Sequence, residues 1–254
     1  MWVFPGNASH IGCRPEQQDA YALSDFTDHR FVDHGGYLAV VADGIGGMSH
    51  GAEAAQIATS AFLASYQSKS VLREVDESLD QALLVASNAV IEEASRRDAR
   101  RNMGATLLVA LIYEQHLYWR ALGDSHLYLC RDGRLSQLNA DQNFGRTLQQ
   151  WVEEGLISQN MADFHPDRKS LQNYLGLGDL DDVERNRRPL PLENGDVILL
   201  CTDGVYGILS DSEIAQCLMQ EKEPMLAASH LCSRVLAKRH PRQDNLTAVV
   251  LTCY

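Results

Sequence analysis

The stretch Leu38–Gly51, LAVVADGIGGMSHG, runs without a polar residue from Leu38 to Ala42, ends on Asp43, and then breaks into glycines at Gly44, Gly46 and Gly47. A short apolar run closed by turn residues reads as a buried strand. Such a strand has no need of an acid at its tip, and an ordinary surface turn has no need of so many glycines. Asp43 is therefore there to hold something. The GAEAA that follows opens a helical pattern over about Ala52–Tyr66, placed to cover the strand.

The same arrangement recurs along the chain. VILLCTDGVYG carries an apolar strand into Asp203 and Gly204, and WRALGDSHLYL sets Asp124 between two strand-like runs. RQDNLTAVVL puts Asp244 just before the last strand, and CRPEQQDAYAL puts Asp19 before the first clear one. Any one of these acids alone reads as a turn former, because Asp side chains bond to nearby backbone groups. Five of them, flanking core strands, suit a hard-cation site, since Mg²⁺ and Mn²⁺ take oxygen ligands in near-octahedral arrays. Neither His nor Cys is spaced for zinc. Gly44 and Gly204 are expected to let the backbone turn sharply, with the Gly44 carbonyl as a further oxygen donor. Two cations on such a site would lower the pKa of bridging water and clamp phosphoryl oxygens. Arg14, five residues before Asp19, is the candidate to orient a phosphate, because a guanidinium binds phosphate oxygens bidentately.

Composition sets bounds on the function. The 254 residues are 45% hydrophobic and 22% charged, with a formal net charge of −12. That balance is ordinary for a globular domain, argues against a nucleic-acid partner, and is compatible with carboxylates gathered on cations. No apolar run approaches the roughly 20 residues of a membrane span. The opening MWVFPGNASHIG lacks a basic start and a long apolar stretch, so no secretory leader, no membrane and a cytoplasmic location are expected. Six scattered cysteines (Cys13, Cys130, Cys201, Cys217, Cys232 and Cys253) read as small hydrophobes, and the Asn7-Ala8-Ser9 sequon as chance.

Strand patterns at 20–24, 37–42, 105–112, 117–122, 126–131, 196–201 and 246–252 often follow one another without helices, favouring antiparallel sheets and an α+β class. Asp132-Gly133 marks a hairpin. Helices are expected over 75–97, from a capping box formed by Ser210 and Glu213, and over 225–236. From Asp141 to Gly178 the pattern weakens into short helices and loops. An insertion of that length reads as a lid or binding segment, or as a plain connection.

In order, RPEQQDAY, VVADGIGGMSHGAEAA, GATLLVALI, ALGDSHLYL, LLCTDGVYGILSDSEI and RQDNLTAVVL resemble the metal-dependent protein phosphatase family, protein phosphatase 2C, from Gly12 to Leu251. The resemblance implies a four-layer α-β-β-α sandwich with two central antiparallel sheets. It implies one catalytic domain over 1–254, with a flap at about 141–175 that influences substrate choice. The cofactors would be two Mn²⁺ or Mg²⁺ ions, with a third near Asp124. Asp43 would bridge the two ions, the Gly44 carbonyl would bind one, and Asp203 and Asp244 would complete the site. Asp19 would hold metal-bound water, Arg14 the substrate phosphate, and Asp124 would join Asp203 at the third ion. Four positions depart from the family pattern: Gln17 and Gln18 replace the Asn and Glu of Asn-Glu-Asp before Asp19, Thr202 replaces Ser, and Ile45 stands where many eukaryotic-type members carry a histidine acid.

The implied activity is hydrolysis of phosphoserine and phosphothreonine by direct attack of metal-bridged hydroxide, reversing a Ser/Thr kinase and needing no covalent intermediate. The expected partners are phosphorylated proteins, and the expected state is a monomer. A phosphatase dedicated to one regulatory phosphoprotein is the alternative within the same chemistry. A catalytically silent phosphoprotein-binding scaffold is the alternative outside it, and would require lost ligands.

Overall fold

The computed structural model describes residues 1–254 apart from Arg101, Asp179 and Asp181. The chain opens with β1 (Val3–His10), β2 (Asp19–Leu23), α1 (His29–Gly35) and β3 (Tyr37–Asp43). Two long helices follow, α2 (Gly51–Gln67) and α3 (Val75–Arg96), and then four strands, β4 (Leu107–Tyr113), β5 (His116–Leu122), β6 (His126–Arg131) and β7 (Arg134–Gln137). The segment 141–175, expected from the resemblance to be a flap and given that label below, carries α4 (Phe144–Glu153) and α5 (Gln159–Asp163). After it come β8 (Glu184–Arg185), β9 (Leu190–Pro191), β10 (Val197–Cys201), α6 (Asp203–Tyr206), α7 (Asp211–Gln220), α8 (Pro224–Ala237) and β11 (Leu246–Cys253).

The strands form two antiparallel sheets, ordered β1-β11-β10-β6-β7 and β2-β3-β4-β5-β8, with β9 also on β5. Side chains alternate between the faces of a strand, so each strand serves two cores. On β3, Tyr37, Ala39 and Val41 meet Ile198 and Leu200 of β10 and Val249 and Leu251 of β11 between the sheets. Leu38, Val40 and Ala42 point the other way, onto α2 and α3. The outer face of the other sheet (Leu199, Cys201, Ala248 and Val250) packs on α7 and α8. Both faces of the central strands are thus covered, which is why Leu38–Ala42 and Val197–Cys201 read as unbroken apolar runs. Complete burial of a side chain such as Leu38 contributes about 2 kcal/mol. The result is the four-layer α-β-β-α sandwich.

Local signals account for the element ends. Ser210 and Glu213 form the reciprocal capping box that starts α7. Asp132 and Gly133 take φ of 49° and 75°, two positive values that suit a tight hairpin between β6 and β7. Five of the six cysteines are buried, and all six are free thiols.

Two elements run against their composition. β1, VFPGNASH, contains Pro, Gly and Asn, yet it is an edge strand, where a missing N–H is tolerated. A Cβ at Gly6 would stand 2.0 Å from the Pro224 carbonyl carbon, so glycine is what lets α8 lie against that edge. Arg120 lies mid-strand in β5 with 0% exposure, held by Asp76 at 2.8 Å and Asp80 at 2.6 Å from the start of α3.

Candidate active site

The acids come together from the ends of strands in both sheets. β2 and β3 pair so that Asp19 lies directly opposite Asp43. Like charges in that register oppose folding unless something neutralises them. Thr106 fixes the Asp43 backbone from both sides, its Oγ1 accepting from the Asp43 N–H at 2.9 Å and its own N–H donating to the Asp43 carbonyl at 2.8 Å. Asp203 begins α6 immediately after β10. Thr202 precedes it and donates its hydroxyl to Asp19 Oδ2 at 2.9 Å, while its Oγ1 accepts from the Thr247 N–H at 3.0 Å. Asp124 sits in the β5–β6 turn, its carbonyl receiving the Tyr206 hydroxyl at 2.7 Å.

Asp244 stands at the root of β11 and is tied to the Arg14 loop by its neighbour. The Asn245 Oδ1 accepts from Gln18 N–H at 2.8 Å, and its Nδ2 donates to the carbonyls of Ile11 at 2.8 Å and Glu16 at 3.0 Å. Arg14 Nη2 donates to Asp244 Oδ2 at 2.6 Å. The sequence reading assigned Arg14 to a phosphate; here the guanidinium is engaged by an acid of the same cluster.

Gly44 and Gly204 are required by space rather than by turn geometry. Neither is among the positive-φ residues. A Cβ at Gly44 would stand 2.4 Å from the Gly51 backbone at the start of α2, and one at Gly204 would stand 1.9 Å from the Asn245 carbonyl oxygen. These close approaches set Asp43 and Asp203 on the same cavity, and the expected sharp turn is replaced by tight backbone packing.

The cavity, about 460 Å³, gathers Arg14, Asp43, Gly44, Asp124, Asp203 and Asp244. Asp19 lies beneath it, opposite Asp43. Ile45, Met48, Leu171 and Tyr174 form an apolar wall, and Lys169 of the flap reaches Asp203 at 3.9 Å. A second, larger cavity of about 930 Å³ opens under the flap and shares Asp124, Lys169 and Asp203 with the first. Sequence reasoning missed Asn245, Thr106 and Lys169, each of which acts through a tertiary contact.

Electrostatics agree with the geometry. Burial, then repulsion from Asp19 and Asp203, raises the Asp43 carboxyl well above the usual range. Burial raises Asp19 to about 6 against its Thr247 and Thr202 hydrogen bonds, and burial with repulsion from Asp203 raises Asp124 to about 6. Asp203 is raised by burial and by Asp244. Acids so placed favour a cation among them, because a nearby positive charge restores the ionised form.

The donor set fits a hard divalent ion. It is all oxygen, and Asp19 Oδ1 is buried without a hydrogen-bond partner. Among the described residues, no three His, Cys, Asp or Glu side chains are gathered closely enough to cage one ion by themselves. Asp244 is turned onto Arg14, one of its carboxylate oxygens taken by that guanidinium.

The family model described as protein phosphatase 2C matches residues 7–250. The chain belongs to the protein phosphatase 2C family. It is 32% identical over 216 residues to the serine/threonine protein phosphatase PstP of Mycobacterium tuberculosis, a match covering 85% of this chain and 40% of PstP. The aligned region thus spans less than half the length of that relative. The crystal structure of the M. tuberculosis phosphatase PstP/Ppp superposes with a TM-score of 0.79 at 28% identity, covering 99% of this chain and 98% of that one. The catalytic domain of PstP in complex with two manganese ions superposes with a TM-score of 0.76 at 27% identity, covering 98% and 97%. Among the described residues of this phosphatase-family chain, no helix is long and apolar enough to cross a membrane.

Proposed function

We propose that this chain is a metal-dependent protein-serine/threonine phosphatase acting as one catalytic domain, a monomer, on phosphoproteins made by a Ser/Thr kinase. The observation that carries this reading is the convergence of Asp43, Asp203 and Asp244 on one cavity with Arg14 at its rim. Asp43, Asp203, Asp244 and the Gly44 carbonyl are assigned to two Mn²⁺ or Mg²⁺ ions, and Asp124 with Asp203 to a third. When bound, such ions supply Lewis-acid stabilisation of phosphoryl charge and an activated water.

The protein's own groups do the rest. Arg14, at the rim of the cavity beside Asp244, would bind and orient the phosphate oxygens. Asp19 accepts hydrogen bonds from water in the site through its unpartnered Oδ1. The apolar wall of Ile45, Met48, Leu171 and Tyr174 excludes water beside the ester and seats the threonine methyl group. The cavity under the flap offers a path for the polypeptide on either side of the phosphoresidue. No histidine acid stands after Gly44, so water is the leaving-group donor in this reading. A cytoplasmic location is part of the same proposal.

The test is Mn²⁺-dependent release of phosphate from a phosphothreonine peptide. Asp203→Ala and Asp43→Ala are expected to abolish it with the fold retained by circular dichroism. Near-normal turnover in either variant sinks the metal assignment. Comparable rates on several unrelated phosphoproteins would separate a general phosphatase from one dedicated to a single regulator.

A further inference from the structure

The flap is joined to the acidic site by a buried imidazole. His126, the first residue of β6, is 7% exposed. Its Nε2 lies 2.7 Å from Asp141 Oδ1 at the flap root. A carboxylate accepts, so Nε2 carries the hydrogen. On its other edge Nδ1 lies 2.7 Å from the Tyr128 hydroxyl. The ring is stacked on Tyr206, with centroids 3.5 Å apart and planes 8° from parallel. Tyr206 closes the short α6 that begins at Asp203, and its hydroxyl holds the Asp124 carbonyl at 2.7 Å.

The flap root is fastened to the same turn by its own backbone. Gln142 N–H donates to the Gly123 carbonyl at 3.0 Å, and Gly123 N–H donates to Gln142 Oε1 at 2.9 Å. Asp141 further accepts from Gln137 at 3.2 Å and from Asn143, which precedes α4, at 3.4 Å. One ring therefore touches the flap root, the strand after Asp124 and the turn carrying Asp203. Nothing in the reaction itself requires His126. What it fixes is the relation between the flap and two acids of the site.

We propose that His126 is a positioning residue: clamped between Asp141 and the Tyr206 ring, it holds the flap root in register with Asp124 and Asp203, and so sets how a flap-contacting polypeptide is presented to the acids. The proposal rests on the phosphatase reading of that site. A small aryl phosphate, which cannot span the flap, depends on the clamp far less than a phosphopeptide does.

The test uses the full chain with Mn²⁺ and two substrates, a phosphothreonine peptide and p-nitrophenyl phosphate. His126→Phe keeps a ring on Tyr206 but removes both polar contacts. Asp141→Ala removes the same link from the more exposed side. Each is expected to lower kcat/KM on the peptide about tenfold. Turnover of p-nitrophenyl phosphate should fall by less than about threefold. Because the two share the His126–Asp141 contact, their losses in the double variant should be less than additive. Asp141→Asn, which keeps an acceptor for Nε2–H, should retain the wild-type ratio of the two substrates. Amide exchange at 142–146 should quicken in His126→Phe.

An unchanged substrate ratio in Asp141→Ala, or additive losses in the double variant, overturns the clamp. If His126→Phe does not fold, the Asp141 pair decides alone. Wild-type protein that hydrolyses neither substrate with Mn²⁺ overturns the phosphatase reading, whereas active wild type with an unchanged ratio in the variants overturns the clamp only.

Discussion

Replacing Asp19 by Asn should stabilise the metal-free protein, although it removes a group from the site. Asp19 is buried opposite Asp43, and its pKa is raised from 3.8 to about 6, chiefly by burial. A shift of about two units is worth about 3 kcal/mol, the cost of ionising this carboxyl in the folded state at neutral pH. A folded pKa above the unfolded one contributes stability below the unfolded value, and that contribution is lost as pH rises through the folded value. Without metal, stability should therefore fall between about pH 4 and pH 7. Asn removes that loss and can still accept the Thr202 hydroxyl. For a chain of this size, the gain in Tm at pH 7.5 is roughly 5–10 °C. The assay is thermal unfolding in EDTA at pH 4, 5, 6 and 7.5. The variant should melt above wild type at pH 7.5, with the gap closing toward pH 4. Added Mn²⁺ should raise the wild type more than the variant. A variant less stable than wild type in EDTA at pH 7.5, or a gap independent of pH, would refute the reasoning.

Other consequences follow from the same contacts. Arg14→Ala should raise KM for a phosphopeptide about tenfold or more, with Arg14→Lys intermediate, measured by steady-state kinetics at saturating Mn²⁺. Gly204→Ala drives a Cβ to 1.9 Å from the Asn245 carbonyl oxygen, so loss of both thermal stability and Mn²⁺-dependent turnover is expected, and a wild-type Tm would count against the close-approach argument. Arg120→Ala empties the place of a fully buried side chain in β5, while Asp76 and Asp80 remain half exposed to water; denaturant unfolding should show a loss of about 2 kcal/mol or more, arising from the void.

Much of the sandwich was legible because its information is local. Leu38–Ala42 and Val197–Cys201 are continuous apolar runs, since a strand in the middle of four layers is covered on both faces. The capping box at Ser210 and the Asp132-Gly133 hairpin each fit within a few residues. β1 was not legible, because Pro5, Gly6 and Asn7 look like a turn until the edge of β11 and the approach of α8 supply the reason for them. The acids could be found by their recurring place at strand ends, a pattern in one dimension. Their couplings could not be found in that way. Arg14 meets Asp244, Thr202 meets Asp19, and His126 meets Asp141 only once the sheets are closed, and no periodicity encodes those contacts. At Gly44 and Gly204 the residues stand out in the sequence as turn formers, but it is their lack of bulk that the fold uses to place the acids.

The assignment of this cluster to paired cations is tested most directly by anomalous diffraction at the manganese edge, from crystals grown with Mn²⁺. Two peaks bridged by the Asp43 carboxylate are expected, one reached by Asp203 and Asp244 and the other by the Gly44 carbonyl. No peak at Asp43, or manganese bound only outside the cavity lined by Asp43 and Asp203, would contradict it.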